Sequence, residues 1–118
     1  MKNFLAVFTG TPEALDKSGW NQLSEQVRNE RTQAGIQAWG DWMKTHETQV
    51  VVAGGPVGKT KKTSASGIAD ITNNIAGYLV VAAESQEAAA KLFEGHPHFS
   101  IFPGDGVEVM ECLPVPNA

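Results

Sequence analysis

The sequence predicts an α+β fold of the ferredoxin-like kind, in which two helices cover one face of an antiparallel sheet. Three features of the 118 residues indicate this arrangement. Four short apolar runs have the length of strands, and two segments have the spacing of amphipathic helices. Their order is βαββαβ, with a long connection between the second and third strands.

The four predicted strands are apolar and are bounded by turn-forming residues. Phe4–Phe8 is apolar at every position and precedes Gly10 and Pro12, as is typical of a strand buried on both faces. Similar runs follow at Val50–Ala53, Tyr78–Ala83 and Val107–Leu113.

The first helix is predicted from about Ser18 to Thr45, because apolar and aromatic residues recur there every three or four positions. Ser18 is its predicted N-cap. A second helix begins after Ser85 and stops at Gly95. Three tryptophans follow the stripe of the first helix and are assigned to the core: Trp20, Trp39 and Trp42.

Residues 57–76 form a polar connection without a helical or alternating pattern, and connections of this length are often functional. Its beginning, Ala53–Thr60, is one substitution away from a phosphate-binding loop. Ala53 replaces the first glycine of that motif, and the residues after Lys59 are poor helix formers. A tight turn leaving the second strand is therefore the favoured interpretation.

Two helices on one face leave the other face of the sheet uncovered. The first three strands are apolar at both sets of alternating positions, whereas a solvent-facing sheet surface alternates apolar with polar residues. This pattern predicts a homodimer that packs sheet against sheet through the open face.

Composition predicts one globular domain spanning residues 1–118. The net charge of −4 argues against nucleic acid or an anionic membrane as a partner. The single cysteine, Cys112, excludes an internal disulfide, so we expect a cytoplasmic protein. Cys112 is expected to be buried and inert within the last strand.

Two histidines, His96 and His98, are the leading candidates for acid–base chemistry. Imidazole is the side chain best suited to proton transfer near neutral pH, and it also binds metals. The two positions lack a diagnostic metal-ligand spacing, so no metal and no cofactor are predicted. A purely structural role at a helix terminus is the alternative.

Asp70 and Lys59 complete the set of candidate site residues. Asp70 lies between apolar residues of the long connection, where a buried carboxylate would need a partner, although a turn position is an equal alternative. Lys59, Lys61 and Lys62 place positive charge on an acidic protein and could attract an anionic ligand. A solvated surface run is the simpler interpretation of the three lysines.

The segment His96–Val109 resembles the YCII-related, or DGPF-type, family, as do Ala53–Pro56 and Gly77–Val81. The resemblance implies a dimeric α+β barrel. Some family members have been proposed to be enzymes with a His–Asp pair whose histidine lies on the first long helix. Ala38 and Trp39 occupy that region here, so the pair cannot be assigned to this chain.

Two functions are consistent with these residues. The first is binding of a small, anionic organic molecule beside the sheet, with His98, His96 and Asp70 as acid–base groups and Lys59 as the anion contact. The second is a non-catalytic dimeric module that senses a ligand or binds another protein. Acid–base chemistry requires a histidine and a carboxylate to meet in a pocket.

Overall fold

The computed structural model describes residues 1–116 and contains six strands, four α-helices and one turn of 3₁₀ helix. The strands are β1 (Lys2–Thr9), β2 (Val50–Pro56), β3 (Thr60–Ser64), β4 (Gly67–Ile71), β5 (Ile75–Ala83) and β6 (Gly106–Glu111). The helices are α1 (Pro12–Ser18), α2 (Glu25–Thr45), α3 (Gln86–Lys91) and α4 (Pro97–Ser100), and the 3₁₀ turn is Trp20–Gln22.

The main sheet has the strand order β2-β5-β1-β6, and every neighbouring pair is antiparallel. The first and third of its strands along the chain, β1 and β5, therefore lie in the middle, and the second and fourth form the edges. This is the ferredoxin-like order, so the predicted fold class is confirmed. Strands β3 and β4 form a separate two-stranded sheet.

The hydrophobic core lies between the main sheet and the helices. Alternate residues of β1, namely Phe4, Ala6 and Phe8, face it and are almost fully buried. Their neighbours across the sheet and on the helices complete the core: Leu79, Val81, Ala83, Trp42, Ala89 and Phe93. Within residues 1–116, no helix is long and apolar enough to cross a membrane.

The other face of the main sheet carries apolar side chains that remain exposed. Because successive strand residues point to opposite faces, Tyr78, Val80 and Met110 lie on the side away from the core. Val52 pairs with Val80 on the same side and is 44% exposed. The open face is therefore mainly apolar, as the strand patterns predict, with the exposed Glu108 opposite Val7.

The predicted single helix from Ser18 to Thr45 is wrong at its beginning. Thr11 caps α1, with its Oγ1 accepting from the amide of Ala14 at 3.0 Å, and Ser18 is the last residue of α1. Gly19 then adopts a left-handed φ of 71°, which ends the helix. The N-cap of α2 is Ser24, whose hydroxyl accepts from the amide of Val27.

The long connection is also more regular than its sequence suggests, because it contains the β3–β4 hairpin. Its residues are exposed on both faces, apart from a half-buried Thr60, so no apolar alternation marks the strands in the sequence. Gly67 has a φ of 110° at the turn. Ala53–Thr60 lacks the helix of a phosphate-binding loop, since β3 begins at Thr60.

Cys112 is exposed rather than buried, which corrects the sequence-based expectation. Strand β6 ends at Glu111, one residue earlier. The amide of Cys112 still donates to the carbonyl of Asn3 at 2.9 Å, so the main chain continues beside β1 while the thiol lies outside the core.

Gly35 allows helix α2 to approach the segment that follows α4. A Cβ atom at position 35 would overlap the ring of Phe102, and that ring also packs between Trp20 and Trp39. Gly40 lies in the same helix, but no heavy atom lies within 4 Å of the position its Cβ would take. The two glycines therefore differ in their tolerance of a side chain.

We expect Gly35→Ala to destabilise the fold, since an extra methyl group in a packed site typically costs about 1–3 kcal/mol and outweighs the better helix propensity of alanine. Gly40→Ala should instead raise the free energy of unfolding by about 1 kcal/mol. Urea denaturation of the two variants and the parent tests this. Equal effects at both positions would contradict the assigned Gly35–Phe102 contact.

Candidate functional site

A cleft of about 400 Å³ lies between α2 and the end of the main sheet. Helix α2 forms one side, the ends of β1, β2 and β5 form the floor, and residues from the α4 region close the third side. The side chains that define it are mostly large and apolar: Phe8, Ile36, Trp39, Pro56, Leu79 and Phe102. Glycines at 40, 55 and 77 leave room for the open volume.

The cleft is apolar apart from a few groups. Among the residues that the structure describes, no aspartate, glutamate, lysine or arginine lines it. His98 is the only histidine in this described lining, and its side chain is the one strongly basic acceptor there. A molecule in the cleft would therefore meet aromatic and aliphatic walls and one imidazole.

His98 is held in the wall by the short helix α4. Pro97 occupies the first turn, which suits its fixed φ and its missing amide proton, and His96 is the N-cap. The side chain of His98 is almost fully buried, with 7% of the residue exposed. Its position depends on local main-chain geometry rather than on a charged partner.

One hydrogen bond determines the protonation pattern of His98. Its Nε2 lies 2.7 Å from the carbonyl oxygen of Thr9. Because a carbonyl can only accept, Nε2 carries the proton, and Nδ1 of the neutral ring is the unprotonated nitrogen. Within residues 1–116, Nδ1 has no hydrogen-bond partner, so it is free to accept one from a ligand.

Thr9 and Gly104 support this arrangement from behind. The carbonyl of Thr9 also accepts from the amide of Asp105 at 2.9 Å, and the hydroxyl of Thr9 donates to the Asp105 carboxylate at 3.1 Å. The amide of Gly104 donates to the carbonyl of His98 at 3.0 Å, and a Cβ at position 104 would overlap the imidazole. The residues on both sides of His98 are thus fixed.

His96 lies beneath His98 and is fully buried. Its Nδ1 accepts the main-chain N–H of His98 at 3.0 Å. The pKa of His96 is lowered from 6.5 to about 4, mainly by burial and to a smaller extent by the neighbouring His98 and His46. The imidazole of His96 is therefore neutral at physiological pH.

The structure brings His96 and His98 together but places Asp70 and Lys59 elsewhere. Asp70 lies on β4, exposed, and its carboxylate bonds to Lys61 Nζ across the hairpin at 2.7 Å. Lys59 lies beside the same hairpin and lines a separate open groove with Asp70. Neither residue lines the cleft that contains His98.

Sequence reasoning missed the residues that give the cleft its shape. Trp39 lies half-buried on the core side of α2, as the spacing of apolar residues along the helix predicts. That spacing did not predict that Trp39 also forms one wall of the cleft. Phe102 and Gly40 had no recognisable signal, because their roles depend on packing between distant segments. Among the described residues, no cluster of three or more His, Cys, Asp or Glu side chains could hold a metal ion.

Comparisons with known proteins give a structural likeness but no family. No family model matches the chain, and no curated protein matches it. Among solved structures, it is similar to 5-chloro-2-hydroxyhydroquinone dehydrochlorinase (TftG) from Burkholderia phenoliruptrix AC1100, in complex with 2,5-dihydroxybenzoquinone. The identity is 19%, the match covers 91% of this chain and 89% of that chain, and the TM-score is 0.49. A likeness of this degree carries nothing about ligand or activity.

The lowered pKa of His96 predicts a pH-dependent stability. Between about pH 6.5 and pH 4 the unfolded chain binds a proton at this residue that the folded chain does not. The free energy of unfolding should therefore fall as the pH falls through this range, by roughly 3 kcal/mol from this group, and its contribution should level off below about pH 4. Urea denaturation across the range measures the slope.

Two variants distinguish the pH dependence of stability caused by His96 from that caused by the carboxylates. His96→Phe keeps a buried ring without a titrating nitrogen, so its slope should be shallower. His46→Gln should keep the parental slope, because His46 is a minor cause of the lowered pKa. A parental slope in His96→Phe would show that His96 does not titrate in this way.

Proposed function

We propose that the protein binds a small, mainly apolar organic molecule in the cleft and that His98 Nδ1 accepts a hydrogen bond or a proton from it. The observation that supports this is the bond from His98 Nε2 to the Thr9 carbonyl, which leaves Nδ1 as the free basic nitrogen. A buried imidazole with one nitrogen fixed and the other unpaired is suited to recognising an acidic proton.

The size and lining of the cleft support a small ligand. Sites for small molecules typically measure about 300–1,000 Å³ and are mainly apolar with a few polar groups, and this cleft, at about 400 Å³, lies near the lower limit. Phe8, Trp39 and Phe102 offer aromatic surface. A planar ring that carries one hydroxyl group would match both the walls and the single acceptor.

The charge of the residues that line the cleft decides whether the predicted anionic ligand could enter it. Because no lysine or arginine among the described residues lines the cleft, the part of the ligand that enters it is proposed to be uncharged. Lys59 belongs to the groove at the hairpin, where it could contact only a part of a ligand outside the cleft, or a separate anion. An acid–base pair of His98 with Asp70 is not favoured within one protomer.

A non-catalytic ligand-binding module is the second candidate. The observation that favours it is the absence, among the described residues, of a carboxylate beside His98 in the cleft. An enzyme would be expected to bring a second acid–base group within reach of the ligand. In this case, binding itself would be the function, and no turnover would accompany it.

The proposed assembly is a homodimer through the open sheet face, as in the YCII-related family that the sequence resembles. The exposed apolar side chains of that face support this. The radius of gyration is 16.3 Å, whereas a compact chain of this length is expected to have about 13–14 Å. A protomer this extended is consistent with a surface that a second copy completes.

The ligand proposal is tested with p-cresol and 4-methylanisole, its methyl ether, in which a methyl group replaces the hydroxyl proton. Parent protein should bind p-cresol about fivefold to tenfold more tightly, because only p-cresol can donate to His98 Nδ1. Titration followed by the indole N–H signal of Trp39 measures both affinities. His98→Phe should keep the apolar site and lose the preference.

Gly40→Leu is the control for the location of the site. Its side chain would fill open space in the cleft wall, so both compounds should bind more weakly, whereas Gln37→Leu, on an exposed position of α2, should leave both affinities unchanged. Equal affinities for the two compounds in parent protein, or a preference that survives in His98→Phe, would refute the assigned role of His98.

The dimer proposal is tested by sedimentation equilibrium. Parent protein should sediment as a dimer, and Val52→Lys should sediment as a monomer because it places a charge on the apolar open face. Val27→Lys is the matched control, since Val27 is similarly exposed but lies on α2. A monomeric parent, or a Val52→Lys variant that remains dimeric, would contradict the proposed interface.

A further inference from the structure

His96 presents a polar atom that the fold does not satisfy. Its Nδ1 accepts from the amide of His98, so the proton of the neutral ring lies on Nε2. Nε2 is buried and has no hydrogen-bond partner among the described residues. A buried donor without a partner lowers the free energy of unfolding, so a histidine at this core position is less favourable than an apolar side chain of the same shape.

The surroundings of His96 would accept a purely apolar ring. Its imidazole packs against Trp39 at a centroid distance of 4.6 Å and an interplanar angle of 90°, and against Trp42 at 5.0 Å and Phe8 at 5.1 Å. Phe93 lies 5.9 Å away. Among the described residues, the titratable groups that act on the pKa of His96 are His98 and His46.

A phenylalanine would fill the same space without an unsatisfied donor, but it could not accept the amide proton of His98. The contact from His96 Nδ1 to that amide is therefore the one polar interaction for which the imidazole is needed. Through Trp39, the same ring also contacts a wall of the cleft.

We propose that His96 is a positioning residue: its Nδ1 holds the main chain of His98 so that the His98 imidazole bonds to Thr9 through Nε2 and presents Nδ1 to the cleft. The inference rests on the role proposed above for His98. In this arrangement the two histidines bond to the main chain through opposite ring nitrogens, His96 through Nδ1 and His98 through Nε2, and Nδ1 of His98 is left to meet a ligand.

A measurement on the parent protein tests the central contact directly. In ¹⁵N-labelled protein, a scalar coupling across the hydrogen bond should join the amide nitrogen of His98 to Nδ1 of His96. The ring nitrogen shifts of His98 should show protonated Nε2 and unprotonated Nδ1. If His96 Nδ1 is itself protonated, or if the coupling is absent from well-resolved spectra at pH 7, the proposal is wrong.

Two variants distinguish a positioning role of the His96 side chain from a role in packing alone. His96→Phe keeps the ring and removes the acceptor, so His98 should populate both tautomers and the preference for p-cresol over 4-methylanisole should fall about fivefold. His96→Asn leaves a cavity but keeps an acceptor suited to an N-cap, so it should be less stable than the parent and retain the His98 tautomer. An unchanged His98 tautomer in a folded His96→Phe protein would overturn the proposal.

The experiment also distinguishes this inference from the ligand proposal. If parent protein shows no preference for p-cresol, the ligand proposal fails, whereas the coupling and the tautomer of His98 still decide the role of His96. If the preference is present but His96→Phe retains it, only the positioning role fails. Should His96→Phe not fold, the parental coupling and the His96→Asn tautomer decide between the outcomes.

Discussion

The main-chain carbonyl of Thr9 is the acceptor on which the cleft depends. It lies at the end of β1, a central strand, and accepts hydrogen bonds from His98 Nε2 at 2.7 Å and from the amide of Asp105 at 2.9 Å. Both donors belong to the segment between α3 and β6, and the hydroxyl of Thr9 donates to the Asp105 carboxylate of the same segment. Because the same bond fixes the segment and assigns the proton on His98, the fold and the chemistry of the site share one determinant.

His96 and His98 lie two positions apart and use their ring nitrogens differently. His96 is fully buried among aromatic rings and uses Nδ1 toward the backbone, whereas His98 uses Nε2 toward the backbone and leaves Nδ1 unpaired. Their proximity disfavours charge on His96, in the same direction as burial. A neutral imidazole at His96 also suits its aromatic surroundings, because a buried imidazolium there would need a counter-ion.

The sequence was sufficient to predict what depends on local pattern and insufficient for what depends on tertiary contacts. The four main strands and their order followed from short apolar runs, and Ser85 was correctly identified as the cap of α3. The start of α2 was misplaced because Trp20 and Leu23 continue the helical spacing although Gly19 has already ended α1. Of the candidate site residues, His96 and His98 are joined by a hydrogen bond from the amide of His98. Asp70 was predicted to face the interior because its neighbours in sequence are apolar, but Asp70 and those neighbours are exposed on the hairpin. The functional roles of the four candidate residues remain predictions: His96, His98, Asp70 and Lys59.

The contact between Gly35 and the ring of Phe102 has a consequence for how related sequences can diverge. The helix and the segment after α4 approach each other at this point, with a side chain on one side only. The volume at the contact is thus shared by two positions that are far apart in the chain. In homologues, a larger residue at position 35 should be accompanied by a smaller one at position 102, and such an exchange would reshape the aromatic wall without altering the histidines. Covariation of these two positions would then mark lineages in which the shape of the cleft has changed.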